Sequence, residues 1–139
     1  MINLSIQSIY LGGNIMKQVL ETKNAPGAIG PYSQGMSFGN MIITSGQLPI
    51  DPATGELKQD IKEATKQSLE NCKAILESAG SSMDNVVKTT VFLRDINDFA
   101  AMNEVYATYF TNNPPARSAV QVAKLPKDAI VEIEVFATK

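Results

Sequence analysis

The chain has 139 residues, a net charge of −2 and no histidine. With 44% hydrophobic and 19% charged residues it reads as one soluble globular domain, and with no basic run it lacks the charge that holds a nucleic-acid backbone. The missing histidine excludes Ser-His-Asp and Cys-His nucleophiles and the commonest zinc ligand, and the single cysteine, Cys72, excludes an internal disulfide.

Residues 1–15 are moderately apolar and uncharged. They lack the basic start of a signal peptide and are too short to span a bilayer. Gly12-Gly13 fits the in-frame translation of a ribosome-binding sequence, which makes Met16 the expected natural start and residues 1–16 an extension ahead of a single domain at 17–139. Intact-mass measurement from the native host tests this, and a species beginning at Met1 refutes it.

Lys17 to Thr22 fits a first strand, and Asn24 to Pro31 is dense in residues that break regular structure. Tyr32 to Phe38 fits a second strand, Gly39-Asn40 a tight turn, and Met41 to Leu48 a third strand rich in β-branched residues. Asp60 with Glu63 three residues on matches a capping box, apolar residues at 61, 64, 72, 75, 76 and 79 trace a helical stripe, and Gly80 ends it. Cys72 falls within that stripe, where a thiol packs as a small hydrophobe.

Val86 to Leu93 alternates as a strand, and Asn97 to Phe110 returns to helical spacing. Tyr106, Tyr109 and Phe110 on that spacing fit core packing. After Asn112-Asn-Pro-Pro115 come two alternating runs. Arg117, Ala119 and Gln121 share one face while Ser118, Val120 and Val122 share the other; Val131, Ile133 and Val135 form an apolar row beside a mixed row of Ile130, Glu132, Glu134 and Phe136. A charge so placed is either solvated on an outer face or recruited into a cleft.

The order is βββαβαββ, an α+β fold in which two helices cover one face of a six-stranded sheet. Met41, Ile43, Ile130 and Phe136 are candidates for the uncovered face, which implies self-association.

Four motifs in fixed order carry a resemblance: APGAIGPYSQG at 25–35, GNMIITSGQLPIDPATGE at 39–56, VVKTTVFLRDINDFAAMNEVY at 86–106 and PARSAVQVAKLPKDAIVEIE at 115–134. The chain resembles the Rid proteins of the YjgF type, in their RidA branch, from about Lys17 to Lys139. The resemblance implies a chorismate-mutase-like homotrimer with a mixed sheet and a cleft at each subunit interface. It also implies a cytoplasmic 2-iminobutanoate/2-iminopropanoate deaminase that hydrolyses enamines and imines such as 2-aminoacrylate to 2-oxo acids and ammonia. Neither metal nor organic cofactor, nucleic acid nor membrane is expected.

Carried onto this chain, the family pattern puts Arg117 on the substrate carboxylate and makes Glu132 the base that directs the attacking water. Arg117 is expected to keep Glu132 ionised. Tyr32, Ser45, Gly46 and Asn103 match polar positions around the ligand, and Ala119 stands where many members carry cysteine. Apart from the resemblance, Arg117 and Glu132 read as surface ion-pair and solvated strand residues, Tyr32 as packing on its loop, Ser45 as a backbone partner and Asn103 as a surface amide. The alternative function is a non-catalytic trimer that binds 2-oxo acids and regulates another protein.

Overall fold

The computed structural model describes residues 16–139, and the expectations for residues 1–15 lie outside them. Six strands form one sheet: β1 (Lys17–Leu20), β2 (Gly35–Phe38), β3 (Met41–Thr44), β4 (Val86–Leu93), β5 (Ala116–Gln121) and β6 (Val131–Thr138). The helices are α1 (Ile61–Ser78), between β3 and β4, and α2 (Phe99–Tyr109), between β4 and β5. The expected βββαβαββ order is therefore the observed one.

Across the sheet the order is β1-β2-β3-β6-β4-β5. The β4–β5 pair is parallel and the other pairs are antiparallel. A parallel neighbour cannot be reached by a tight turn, and α2 supplies the crossover. Gly39, at φ 56°, makes the β2–β3 hairpin. The last strand in sequence, β6, lies near the middle, between β3 and β4.

The helices cover one face. On β6, Val131, Ile133, Val135 and Ala137 are buried, and on β4 so are Thr89, Val91 and Leu93. They meet Ala64, Leu69, Cys72, Ile75 and Leu76 of α1 and Met102 and Tyr106 of α2. Asp60 caps α1 through a 3.1 Å bond from the Glu63 amide, and Gly80 follows its end at φ 79°. Burial pushes the Cys72 thiol up to about 12, so at neutral pH it is a packed thiol and no nucleophile. The helices are tied together by Tyr109, whose hydroxyl donates to Glu70 at 2.6 Å, and by the Lys62–Glu104 ion pair at 2.6 Å.

The other face is open, and Phe38, Val120 and Phe136 are 39–44% exposed on it. Met41 and Ile43 lie there half-buried, as expected, but Ile130 does not. It is buried in the core because it precedes β6, where strand alternation has not begun. Its carbonyl accepts from the Arg94 amide at 3.1 Å.

A second correction concerns β3, which ends at Thr44 and not at Leu48. The chain leaves the ladder at Ser45-Gly46 and returns at Gln47, which exchanges backbone hydrogen bonds with Ile133 at 2.7 and 3.1 Å. Beyond it, buried Asn71 of α1 donates to the carbonyls of Leu48 and Ile50 at 3.1 and 2.9 Å. Truncation of Asn71 to alanine strands both carbonyls and is expected to cost about 1–3 kcal/mol of stability. Guanidinium denaturation at fixed protein concentration checks it, and an unchanged midpoint contradicts it.

Candidate active site

Arg117 lies on β5, an edge strand, and points to the helix-covered face. The spacing of Phe99, Asn103 and Tyr106 puts all three on one side of α2. Arg117 Nη1 donates to Asn103 Oδ1 at 2.7 Å, and its guanidinium carbon lies 4.7 Å from the Tyr106 ring centre and 5.3 Å from that of Phe99. Asn103 is therefore a ligand of the arginine. Ala119, on the same face of β5, is half-buried against the core.

Glu132, Ser45, Gly46 and Tyr32 gather elsewhere. They line a cavity of about 560 Å³ together with Leu48 and Lys127. The break in β3 makes room for the acid. A Cβ on Gly46 would stand 2.6 Å from Glu132 Oε1 and 2.7 Å from its carboxyl carbon, so the carboxyl rests directly on the glycine. Ser45 Oγ donates to the Ser33 carbonyl at 2.5 Å, and the Ser45 amide donates to the Gln34 carbonyl at 2.8 Å. Tyr32 is half exposed at the cavity wall.

Gln34, which sequence reasoning missed, organises this wall. Its buried amide nitrogen donates to the carbonyls of Thr22, Ala25 and Pro26 at 2.8–3.1 Å, and its oxygen accepts from the Thr22 amide at 2.7 Å. A loop rich in Pro and Gly has few hydrogen bonds of its own, and one glutamine side chain supplies them. Thr89, Phe99 and Tyr106 around Arg117 were also missed, because at helical or strand spacing they are indistinguishable from core.

The two groups lie on opposite faces of the sheet. Glu132 is in register with Phe92, and Phe92 with Val120, so all three share the open face. Arg117 is three residues from Val120, hence on the other face and roughly 10 Å further along the strand. The expectation that Arg117 keeps Glu132 ionised therefore fails within one chain. Burial, followed by the neighbouring charge of Glu134 on the same face, raises the Glu132 pKa from its ordinary value. Among the described residues, no group of three His, Cys, Asp or Glu side chains could hold a metal ion.

Comparison with known proteins adds the family. The endoribonuclease L-PSP family profile matches residues 22–139. A RutC family protein of Pyrococcus horikoshii is 59% identical over 125 residues, covering 89% of this chain and 99% of its own. The 2-iminobutanoate/2-iminopropanoate deaminase of Escherichia coli is 53% identical over 127 residues, with 89% and 99% covered. Among solved structures, Escherichia coli TdcF with bound serine superposes with a TM-score of 0.85 at 50% identity, covering 88% of this chain and 98% of that one.

A raised folded pKa means that the unfolded chain ionises first. The Glu132 contribution is thus neutral below the usual carboxylate range and becomes destabilising as pH rises from that range through the folded value. Replacing Glu134 with glutamine removes the like charge and is expected to lower the Glu132 pKa and flatten this fall in stability. Carboxyl-carbon NMR titration of Glu132 in both proteins reads it, and an identical midpoint rules the coupling out.

Proposed function

The chain belongs to the endoribonuclease L-PSP family, and from that premise we propose that it is a 2-iminobutanoate/2-iminopropanoate deaminase acting in a cleft shared between subunits. One observation carries the shared cleft: Arg117 and Glu132 occupy separate faces of one sheet, Glu132 in a cavity and Arg117 held by Asn103, Phe99 and Tyr106. A heterologous contact that docks the β5–α2 edge of one subunit onto the open face of the next brings them together and covers the exposed Phe38, Val120 and Phe136. Closing this contact on itself makes a ring, and the family resemblance supports three subunits.

In this cleft Arg117 binds the substrate carboxylate through two parallel charge-assisted hydrogen bonds. Glu132 accepts a proton from water as the water oxygen bonds to the imine carbon and the C=N pair moves onto nitrogen. The carboxyl then gives the proton to the nitrogen of the tetrahedral adduct. Glu132, ionised again, takes the adduct's hydroxyl proton as the C=O bond forms and the C–N bond breaks, and a 2-oxo acid and ammonia leave. An iminium is already electrophilic, so holding it beside one oriented water suffices without a covalent nucleophile. The raised pKa of Glu132 makes its ionised form a stronger base than an exposed carboxylate.

Ser45, the Gly46 amide and Tyr32 line the water side of the cleft, Asn103 holds the arginine, and Ala119 borders the substrate beside it. The family title names ribonuclease action, but a chain of net charge −2 without histidine offers neither backbone electrostatics nor the usual acid–base pair for RNA cleavage. No helix among the described residues is long and apolar enough to cross a membrane. The lone buried thiol fits the reducing cytoplasm, where pyridoxal-phosphate enzymes release such imines.

The test generates 2-aminoacrylate with a serine dehydratase and follows 2-oxo acid release against semicarbazide as a competing trap. Wild-type protein should accelerate release; Arg117→Ala should lose roughly ten- to a hundredfold in kcat/KM and Glu132→Gln about a hundredfold or more in kcat. Random assembly of these two inactive variants should restore about a quarter of wild-type sites, because an intact arginine then meets an intact glutamate across an interface. No restoration refutes the shared cleft. Carboxylate binding that survives Glu132→Gln, without wild-type turnover, would instead establish the regulatory binder.

A further inference from the structure

Thr89 and Arg117 are cross-strand partners in the parallel β4–β5 pair, so their side chains stand side by side on the helix-covered face. Tyr106 crosses above them from α2. Its hydroxyl is 2.7 Å from Thr89 Oγ1, and its ring centre is 4.7 Å from the Arg117 guanidinium carbon. Behind it, the Phe110 ring packs at 4.7 Å between centroids, tilted by 46°. The ring is therefore held at two points, by a hydrogen bond at its hydroxyl and by Phe110. Thr89 is fully buried, and Tyr106 is 7% exposed.

Resting on Arg117 as the carboxylate clamp, we infer that Thr89 and Tyr106 form a positioning pair, in which the threonine hydroxyl pins the tyrosine ring as a platform that fixes the Arg117 guanidinium before the substrate carboxylate arrives. A free arginine side chain carries about 2 kcal/mol of rotamer entropy, lost on binding unless it has been lost already. Here one Nη1 proton is committed to Asn103 and a face of the fork lies on the ring, which leaves the remaining donors for a carboxylate.

Both members are chosen for this. Threonine is β-branched and stiff at χ1, so its hydroxyl has a fixed direction. It is also short enough for the ring to pass over the strand pair. Phenylalanine at 106 would keep the apolar body but leave it free to pivot on Phe110. Neither residue touches the reacting atoms. They act through Arg117, so their removal should weaken carboxylate binding and leave the chemical step, which depends on Glu132 and water, nearly intact.

The experiment is a double-mutant cycle with Thr89→Val, Tyr106→Phe and their combination, together with Thr89→Ser, measured on the full chain. The readouts are the dissociation constant for 2-oxobutanoate by calorimetry and the split between KM and kcat in the deaminase assay. Thr89→Val and Tyr106→Phe should each raise Kd and KM about three- to thirtyfold with kcat changed less than about twofold, and the double variant should resemble either single. Thr89→Ser should restore wild-type binding.

In parallel, the Arg117 Nε–Hε resonance should lose the Tyr106 part of its ring-current displacement in Thr89→Val and keep it in Thr89→Ser. That readout also separates a platform from a general loss of packing. Additive effects, an unchanged Kd in both singles, or equal loss in the serine variant overturns the pair. Because the Kd is read without turnover, a protein that binds 2-oxobutanoate but hydrolyses nothing defeats the deaminase reading and leaves the pair to stand or fall on binding. An Arg117→Ala protein that binds as well as wild type overturns both the clamp and the pair.

Discussion

The pleat of the sheet governs this molecule. Side chains an odd number of residues apart on one strand cannot share a face, and register carries the parity across neighbouring strands. Through Glu132, Phe92 and Val120 this rule places the carboxyl on the open side, and through Val120 and Arg117 it sends the guanidinium to the helical side. No rotamer change brings the two together in one chain. Strand geometry thus keeps the two groups apart within one chain, and it leaves Val120 and Phe136 exposed on the face that carries Glu132.

Each half is built by a different device. Around Glu132 the sheet is interrupted: β3 breaks at Ser45-Gly46, the glycine lets the carboxyl settle against backbone, the Asn71 amide bonds the carbonyls beyond the break, and the Gln34 amide holds the 22–26 loop. Burial, and then the like charge of Glu134, raise the Glu132 pKa. Around Arg117 the sheet is regular and the helix does the work. Asn103 and two aromatic rings accept a cation where an unsupported charge would be costly.

The order of elements was legible because each long segment keeps one period: 2 in Val86 to Leu93 and Val131 to Thr138, near 3.6 in Ile61 to Ser78. Chain termini of the elements were less so. The third strand reads through Ser45-Gly46 to Leu48 because alternation continues in the letters while the backbone has already left β6. Ile130 continues a row on paper, yet the strand starts one residue later. Tyr106 illustrates a different limit: at position i+3 from Asn103 it looks like core, and it is core, but its ring also borders the arginine.

Composition and pattern alone established the α+β class, the exclusion of histidine and disulfide chemistry, and the parity that separates Ser118 and Val120 from Arg117; the roles of Arg117 and Glu132 were implied by the family resemblance. These are local properties of spacing and side-chain chemistry. Which face each strand turns toward the helices, that Gly46 lies under Glu132, and that Thr89 reaches Tyr106 emerged only from the folded chain. Those two contacts join residues 86 and 17 positions apart in the sequence, and no local period encodes which distant segments pack together.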